Sequence, residues 1–135
     1  MAREINKPDV IAELEAAFTM YEQALIDNDV KIMNLLFWSA PETVRYGIAD
    51  IQYGGEAIYE WRAPAPPVSI YRQLHRTVIT TFGIDFGTVS TEFSNDVEKS
   101  VCGRQMQTWV RVGSKTDLAN GWKIVAAHVS LTQST

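Results

Sequence analysis

The chain has 135 residues, of which 46% are hydrophobic and 21% charged, a composition typical of a globular domain. Its net charge is −4, and Lys and Arg form no cluster, which argues against a nucleic-acid partner. A single cysteine, Cys102, excludes an internal disulfide, and two histidines far apart in sequence argue against a metal centre. We therefore expect a single domain over residues 1–135 that uses neither a metal nor another cofactor.

The N-terminal residues are charged and lack the apolar core of a signal peptide. Apolar segments elsewhere in the chain are too short to cross a membrane. These features predict a cytoplasmic protein that acts on a small molecule and does not contact a membrane.

The first half of the chain predicts helices. Residues 6–29 carry apolar side chains at spacings of three and four, with Asn6 as a candidate N-cap. This stripe consists of Val10, Leu14, Ala17, Phe18, Tyr21 and Leu25. A second helix is expected over residues 30–38, and a third over 56–62, where a Pro-rich segment ends it.

The strands come mainly in the second half of the chain. Runs of strand-forming residues predict strands over residues 43–48, 75–86, 88–93, 101–112 and 122–131, with a turn at Gly87. Helices followed by a series of strands predict an α+β fold. We expect the N-terminal helices to pack on a strongly curved, mixed and mostly antiparallel sheet, which forms a cone with an interior pocket.

The last two strands carry the most informative pattern. Read with a period of two, the first places Gln105, Gln107 and Trp109 on one face, and the second places His128 and Ser130 on one face. Such a mixture of polar and aromatic groups is typical of a pocket wall. The opposite faces are predicted to form an apolar outer surface and the interface of a homodimer. That surface would contain Val110, Val125, Val129 and Leu131.

Assigning the two strand faces the other way would remove His128, Ser130 and Gln107 from the site. His128 is either a structural histidine or an acid–base group. The glutamines, Gln105 and Gln107, either recognise an amide or urea or join neighbouring strands.

Three further side chains are candidates. Arg45 alternates with apolar residues in a short strand. It lies either on a solvated edge or in the interior, where its guanidinium is costly to bury unless it meets an anion. That anion is either a ligand carboxylate or a neighbouring acid such as Asp50 or Glu42. Tyr21 is either a core tyrosine or a proton donor in the pocket. Arg62, beside the Pro-rich segment, is either solvated or placed at the pocket mouth.

Three motifs occur in order along the chain: Val-Arg-Tyr-Gly at 44–47, Thr-Val-Ile-Thr-Thr-Phe-Gly at 77–83, and a C-terminal hairpin. The hairpin consists of Gly-Arg-Gln-Met-Gln-Thr-Trp-Val-Arg-Val and Gly-Trp-Lys-Ile-Val-Ala-Ala-His-Val-Ser. Together they resemble the AtzH/HpxZ-like family of the nuclear-transport-factor-like, or SnoaL-like, superfamily. This resemblance covers nearly the whole chain and implies a cystatin-like fold.

The resemblance implies a small bacterial protein of nitrogen-compound catabolism, such as ureide or cyanuric acid breakdown. Its implied activity is that of an amidohydrolase (amidase) acting on a carboxylated urea such as 1,3-dicarboxyurea, in functional association with an amidase-signature enzyme. The resemblance also implies that Tyr21 and Arg45 are the catalytic pair. We expect the substrate-binding residues to be Gln107, Trp109, His128, Ser130 and Arg62.

Two other function classes remain open. The domain is alternatively a non-catalytic protein that binds a carboxylated metabolite or stabilises a partner amidase. A third possibility is a different SnoaL-like enzyme, such as a dehydratase, isomerase or cyclase acting on an apolar ring, for which an Asp or Glu in the pocket would be expected.

Overall fold

The computed structural model describes residues 4–98 and 101–133. Within them lie the helices α1 (Pro8–Asp27), α2 (Val30–Leu36) and α3 (Gly55–Arg62), and a 3₁₀ turn at Leu118–Gly121. The strands are β1 (Val44–Tyr46), β2 (Ile51–Tyr53), β3 (Gln73–Phe82), β4 (Phe86–Ser94), β5 (Val101–Arg111) and β6 (Trp122–Gln133).

All six of these strands belong to one sheet with the order β2-β1-β6-β5-β4-β3. The β1–β6 pair is parallel and the other pairs are antiparallel. The predicted α+β architecture, with helices packed on a mixed and mostly antiparallel sheet, is therefore confirmed, and the sheet does not close into a barrel. The apolar stripe of α1 is buried against Trp109, Trp122 and Ile124 of the sheet. In the described part of the chain, no helix combines the length and apolarity needed to cross a membrane.

Two features of the strands differ from the sequence prediction. The strand β2 was not predicted, because its alternation of apolar and polar residues is only three residues long. The β3–β4 turn lies at residues 83–85, where Gly83 has a φ of +67°, and Gly87 belongs to β4. Gly87 is required for a different reason: a Cβ atom there would lie 2.5 Å from Cδ2 of Leu14 on α1.

Asn6 does not cap α1. The N-cap position is Lys7, and Asn6 instead pairs with β3, because its side-chain Oδ1 accepts a hydrogen bond from the backbone N–H of Thr81. The N-terminal segment is thus joined to the sheet before the helix begins.

A β-bulge in β6 changes the predicted faces of that strand. Thr108 of β5 lies opposite Ala126 and Trp109 lies opposite Ile124, which leaves Val125 as the extra residue. Because one extra residue reverses the alternation of side chains beyond it, the residues after Val125 exchange faces relative to the prediction.

Beyond the bulge, Ala127 lies opposite Gln107 and Val129 opposite Gln105, so both face inward. His128 and Ser130 lie opposite Met106 and Arg104 on the outer face. The prediction that His128 and Ser130 share a face with Gln107 and Trp109 was therefore wrong.

The outer face of the sheet also differs in composition from the prediction. Val129 and Leu131 are on the inner face, whereas Tyr46 and Met106 are exposed on the outer one. The homodimer stays a prediction, with its expected interface on this different set of side chains.

Candidate functional site

A cavity lies between the inner face of the sheet, α1 and the Pro-rich segment after α3. With the solvent space at its open mouth included, it encloses about 840 Å³. Its charged side chains are the arginines Arg45, Arg62 and Arg72, and the described part of the chain places no carboxylate in its wall. The aromatic side chains of Tyr21, Phe37, Trp61 and Phe93 also line the wall. The cavity is therefore apolar with several cations, a composition suited to an organic anion.

Arg45 reaches the cavity from β1, where it lies opposite Ala127 on the inner face. Its Nη1 donates hydrogen bonds to Oδ1 of Asp50 (2.6 Å) and Oε1 of Gln52 (2.9 Å). Its guanidinium stacks on Trp61 with Cζ 3.7 Å from the ring centroid. Burial lowers the pKa of Arg45 below its usual value, while Tyr21 and Asp50 act in the opposite direction. Arg45 therefore pairs with the neighbouring acid Asp50 and also lines the cavity. A ligand carboxylate on Arg45 stays a prediction.

Arg62, in the last turn of α3, is the one of these three cavity arginines that forms no salt bridge with a described residue. Only 5% of its surface is exposed. Its Nη2 donates to the hydroxyl of Tyr21 (3.3 Å) and its Nη1 to the sulfur of Met33 (3.1 Å). Its buried Nε has no hydrogen-bond partner, and no carboxylate of residues 4–98 or 101–133 forms a salt bridge with it. A buried, uncompensated guanidinium is costly unless an anion approaches it.

Arg72, by contrast, has a protein counter-ion. It forms a two-point ion pair with Glu22 of α1 at 2.9 and 3.2 Å, and its Nη2 also donates to Oε1 of Gln105. The Nε2 of Gln105 in turn donates to Glu22, and the guanidinium lies over the ring of Phe93. This closed network neutralises the charge of Arg72 and attaches the segment before β3 to α1 and β5.

Two neutral donors face the same space. The oxygen of Tyr21 accepts the bond from Arg62, so its O–H proton is available to a ligand. Gln107, on β5, accepts a bond from the indole Nε1 of Trp109 at 3.0 Å. Because an indole N–H only donates, the amide oxygen of Gln107 must point to Trp109, which leaves the NH₂ group for the cavity.

The structure thus brings Tyr21, Arg45, Arg62 and Gln107 together in the cavity wall. His128 also borders the cavity, although it is exposed and its ring lies 5.7 Å from that of Tyr46 on the outer face. The other two candidate binding residues lie elsewhere. Trp109 is fully buried behind Gln107, and Ser130 is on the outer face of β6, so neither lines the cavity.

Sequence reasoning missed two parts of the site. Trp61 lies next to Arg62 on a short helix of eight residues. The sequence pattern of this helix does not show whether Trp61 lines a cavity or lies in the core. The Glu22–Arg72 pair joins positions 50 residues apart, a separation that no local pattern can reveal.

Comparisons with known proteins agree with this architecture. A model of the AtzH-like family matches residues 3–135. A cystatin-like fold protein from Burkholderia xenovorans LB400 is 57% identical with a TM-score of 0.89, over 99% of this chain and 100% of that one. A protein of unknown function of the DUF3225 family from Pectobacterium atrosepticum is 45% identical with a TM-score of 0.84, over 96% and 95% of the chains.

More distant structures share the fold alone. An NTF2-like protein of unknown function from Pseudomonas putida KT2440 is 15% identical with a TM-score of 0.72, over 92% of this chain and 87% of that one. No curated protein matches the chain.

Proposed function

The chain belongs to the AtzH-like family, and from this membership and the charges of its cavity we propose that it hydrolyses a carbon–nitrogen bond of a small carboxylated urea. The candidate substrate is 1,3-dicarboxyurea, as the sequence resemblance implies. The observation that carries the proposal is Arg62, a buried cation in the cavity wall without a protein counter-ion.

The charge of Arg62 favours a carboxylate ligand. Its neighbours Tyr21 and Met33 are neutral, and its Nε is buried without a partner. Leaving such a group unpaired has a large desolvation cost. A bound carboxylate would supply both the missing charge and the missing acceptor, in the two-point geometry that guanidinium groups favour.

Arg45 provides a second cation for the same ligand. Its Cζ lies 3.7 Å from the centre of the Trp61 ring, and that of Arg62 lies 5.3 Å from the same centre. A urea with a carboxylate at each end could therefore bind Arg62 through one carboxylate. Its other carboxyl carbon would then lie beside Arg45. There the guanidinium would stabilise the negative charge that develops as water attacks.

The remaining roles follow from the neutral donors. Water adds to the carboxyl carbon, the bond between that carbon and nitrogen breaks, and the nitrogen takes up a proton. For 1,3-dicarboxyurea the products are allophanate and bicarbonate. We assign the proton donor to Tyr21, whose O–H is polarised by the bond it accepts from Arg62. The NH₂ group of Gln107 would bind the central carbonyl.

The cavity composition disfavours the two other kinds of catalysis. Serine and cysteine are absent from the described wall, so a covalent acyl-enzyme has no evident nucleophile there. An isomerase or dehydratase acting on an apolar ring would be expected to use a carboxylate, and the described wall contains none. The remaining alternative is binding without turnover.

The test is to mix the protein with freshly generated 1,3-dicarboxyurea and follow allophanate and bicarbonate against the spontaneous rate. We expect acceleration that disappears in Arg62→Met and persists in Arg76→Met, a matched control because Arg76 is exposed. Oxalurate, a urea derivative with one carboxylate, serves as a second ligand whose binding is measured by calorimetry. If oxalurate binds, Arg62→Met abolishes the binding and no turnover is seen, the protein is a binding protein. No acceleration and no Arg62-dependent binding would refute the proposed anion site. Association with an amidase-signature enzyme stays a prediction.

A further inference from the structure

We propose that Asp50 and Gln52 are positioning residues, which hold the guanidinium of Arg45 in the orientation that the cavity uses. The inference rests on the proposed function only for the role of Arg45 itself. It concerns residues outside the cavity wall, which no ligand needs to touch.

The three side chains form a closed set of hydrogen bonds. Gln52 lies directly opposite Arg45 in the β1–β2 pair, and Asp50 is in the turn that joins the two strands. Arg45 Nη1 donates to Asp50 Oδ1 and to Gln52 Oε1, and Gln52 Nε2 donates to the same Oδ1 at 2.8 Å. Each member thus fixes the other two, and Gln52 is 5% exposed.

These bonds use only one of the nitrogens of Arg45. Within residues 4–98 and 101–133, its Nε and Nη2 make no hydrogen bond, while Trp61 covers one face of the guanidinium. An arginine side chain loses much rotamer freedom when it binds a ligand. Because Asp50, Gln52 and Trp61 have already ordered Arg45, a ligand meets a group whose unused N–H donors already have a fixed direction.

The glycine of the Val-Arg-Tyr-Gly motif is explained by the same network. A Cβ atom on Gly47 would lie 2.3 Å from Oδ1 of Asp50 and 2.6 Å from its Cγ. The backbone N–H of Gly47 also donates to the carbonyl oxygen of Asp50 at 2.8 Å. Only a residue without a side chain lets the turn close with the carboxylate in this place, so Gly47 serves Arg45 through Asp50.

Two variants separate positioning from simple charge balance. Asp50→Asn removes the negative charge but keeps an oxygen that accepts hydrogen bonds from Arg45 and Gln52. Asp50→Ala removes the charge and the acceptor. If Asp50 only neutralised Arg45, both variants would behave alike. If it positions Arg45, Asp50→Asn retains the wild-type geometry and Asp50→Ala does not.

The first measurement requires no ligand. In the wild type, the side-chain protons of Arg45 lie against the indole of Trp61, so the ring shifts their NMR signals. The signals that disappear in Arg45→Lys are assigned to Arg45. We expect Asp50→Ala and Gln52→Leu to move these signals toward the values of a free arginine, and Asp50→Asn to keep them. Unchanged Arg45 signals in Asp50→Ala would overturn the inference, whether or not the protein is an enzyme.

The second measurement asks whether Asp50 acts through Arg45. Losing a hydrogen bond to a charged group corresponds to about a tenfold or greater effect, so oxalurate affinity should fall about tenfold in Asp50→Ala and recover in Asp50→Asn. In an Arg45→Ala background, Asp50→Ala should have no further effect. Additive losses would overturn the inference. A wild type that binds no oxalurate and produces no allophanate would instead count against the proposed function, leaving the NMR result to decide on positioning.

Discussion

Arg62 on α3 donates from Nη2 to the hydroxyl of Tyr21 on α1 over 3.3 Å, a contact between residues 41 positions apart. Both side chains are 5% exposed, and both line the cavity. The contact satisfies one nitrogen of Arg62 but does not balance its charge. The charge of Arg62 would therefore favour binding of an anion but lower the stability of the ligand-free protein. Ligand affinity and the free energy of unfolding measure these two effects separately.

Replacing Arg62 by Met should separate ligand binding from stability. Met fills a similar volume without burying a charge, so we expect the free energy of unfolding to stay equal or rise by about 1 kcal/mol. Affinity for oxalurate should fall at least about a hundredfold, because a charge-assisted bidentate contact is lost. Urea denaturation and calorimetry measure the two quantities, with Arg76→Met as the control. A loss of stability above about 2 kcal/mol would show that Arg62 is a structural cation.

Replacing Tyr21 by Phe should affect turnover more than binding. The ring keeps its edge-to-face contact with Phe37, at 5.9 Å between centroids, while the hydroxyl is lost. We expect turnover of 1,3-dicarboxyurea to fall at least about a hundredfold, as for a general acid. Arg62 loses an acceptor, so stability should fall by about 1 to 2 kcal/mol. Tyr71→Phe is the control, since Tyr71 is 56% exposed. Unchanged turnover would remove Tyr21 from the mechanism.

Replacing Glu22 should destabilise the protein because its partner is buried. In the Glu22–Arg72 pair the side chains are 12% and 5% exposed. Glu22→Ala leaves Arg72 without a counter-ion, at an expected cost of about 3 kcal/mol in urea denaturation. Glu22→Gln keeps hydrogen-bonding atoms and should cost less. Glu15→Ala, on the exposed side of α1, should have little effect; equal losses at both positions would contradict the role given to the pair.

The fold and part of the site could be predicted from sequence because they follow from local periodicity. The helical stripe that includes Tyr21 and the alternation that places Arg45 and Gln107 are properties of consecutive residues. The bulge at Val125 could not be predicted, since nothing in the run from Trp122 to Leu131 marks an extra residue. It is set by pairing with β5, and it moves His128 and Ser130 to the outer face.

Tyr46, on the outer face, should titrate at a higher pH than an ordinary tyrosine. The hydroxyls of Tyr46 and Tyr53 are 3.1 Å apart, and this hydrogen bond raises the pKa of Tyr46 above its usual value of 10.0. A raised pKa means that the contact stabilises the neutral phenol. Its contribution is therefore fully present below the unfolded pKa and is lost as the pH rises through the folded one.

Tyrosinate absorbance measures this effect directly. Tyr53→Phe should lower the pKa of Tyr46, because Tyr46 loses its hydrogen-bond partner. The tyrosinate signal that appears at the highest pH in the wild type should then appear at a lower pH. Tyr59→Phe leaves the Tyr46–Tyr53 hydrogen bond intact and is the control, which should not lower the pKa of Tyr46. A late phase that persists in Tyr53→Phe would show that the contact does not control Tyr46.

Replacing Gly103 by Ala should disturb the cavity through Phe93. Gly103 on β5 lies opposite Phe93 on β4, and a Cβ atom there would lie 2.1 Å from Cζ of the ring. The ring is 2% exposed, lines the cavity and carries the guanidinium of Arg72 at 4.2 Å. Gly103→Ala must therefore displace a buried ring, at an expected cost of about 1 to 3 kcal/mol.

Two comparisons isolate this collision as the cause. Gly83→Ala meets no atom within 4 Å, and its φ of +67° should cost only about 1 kcal/mol. Phe93→Leu shortens the side chain that Gly103→Ala would strike, so the double variant should lose less than the sum of the two single losses. Additive losses in urea denaturation would mean that Gly103 is needed for its backbone freedom rather than for the space taken by Phe93.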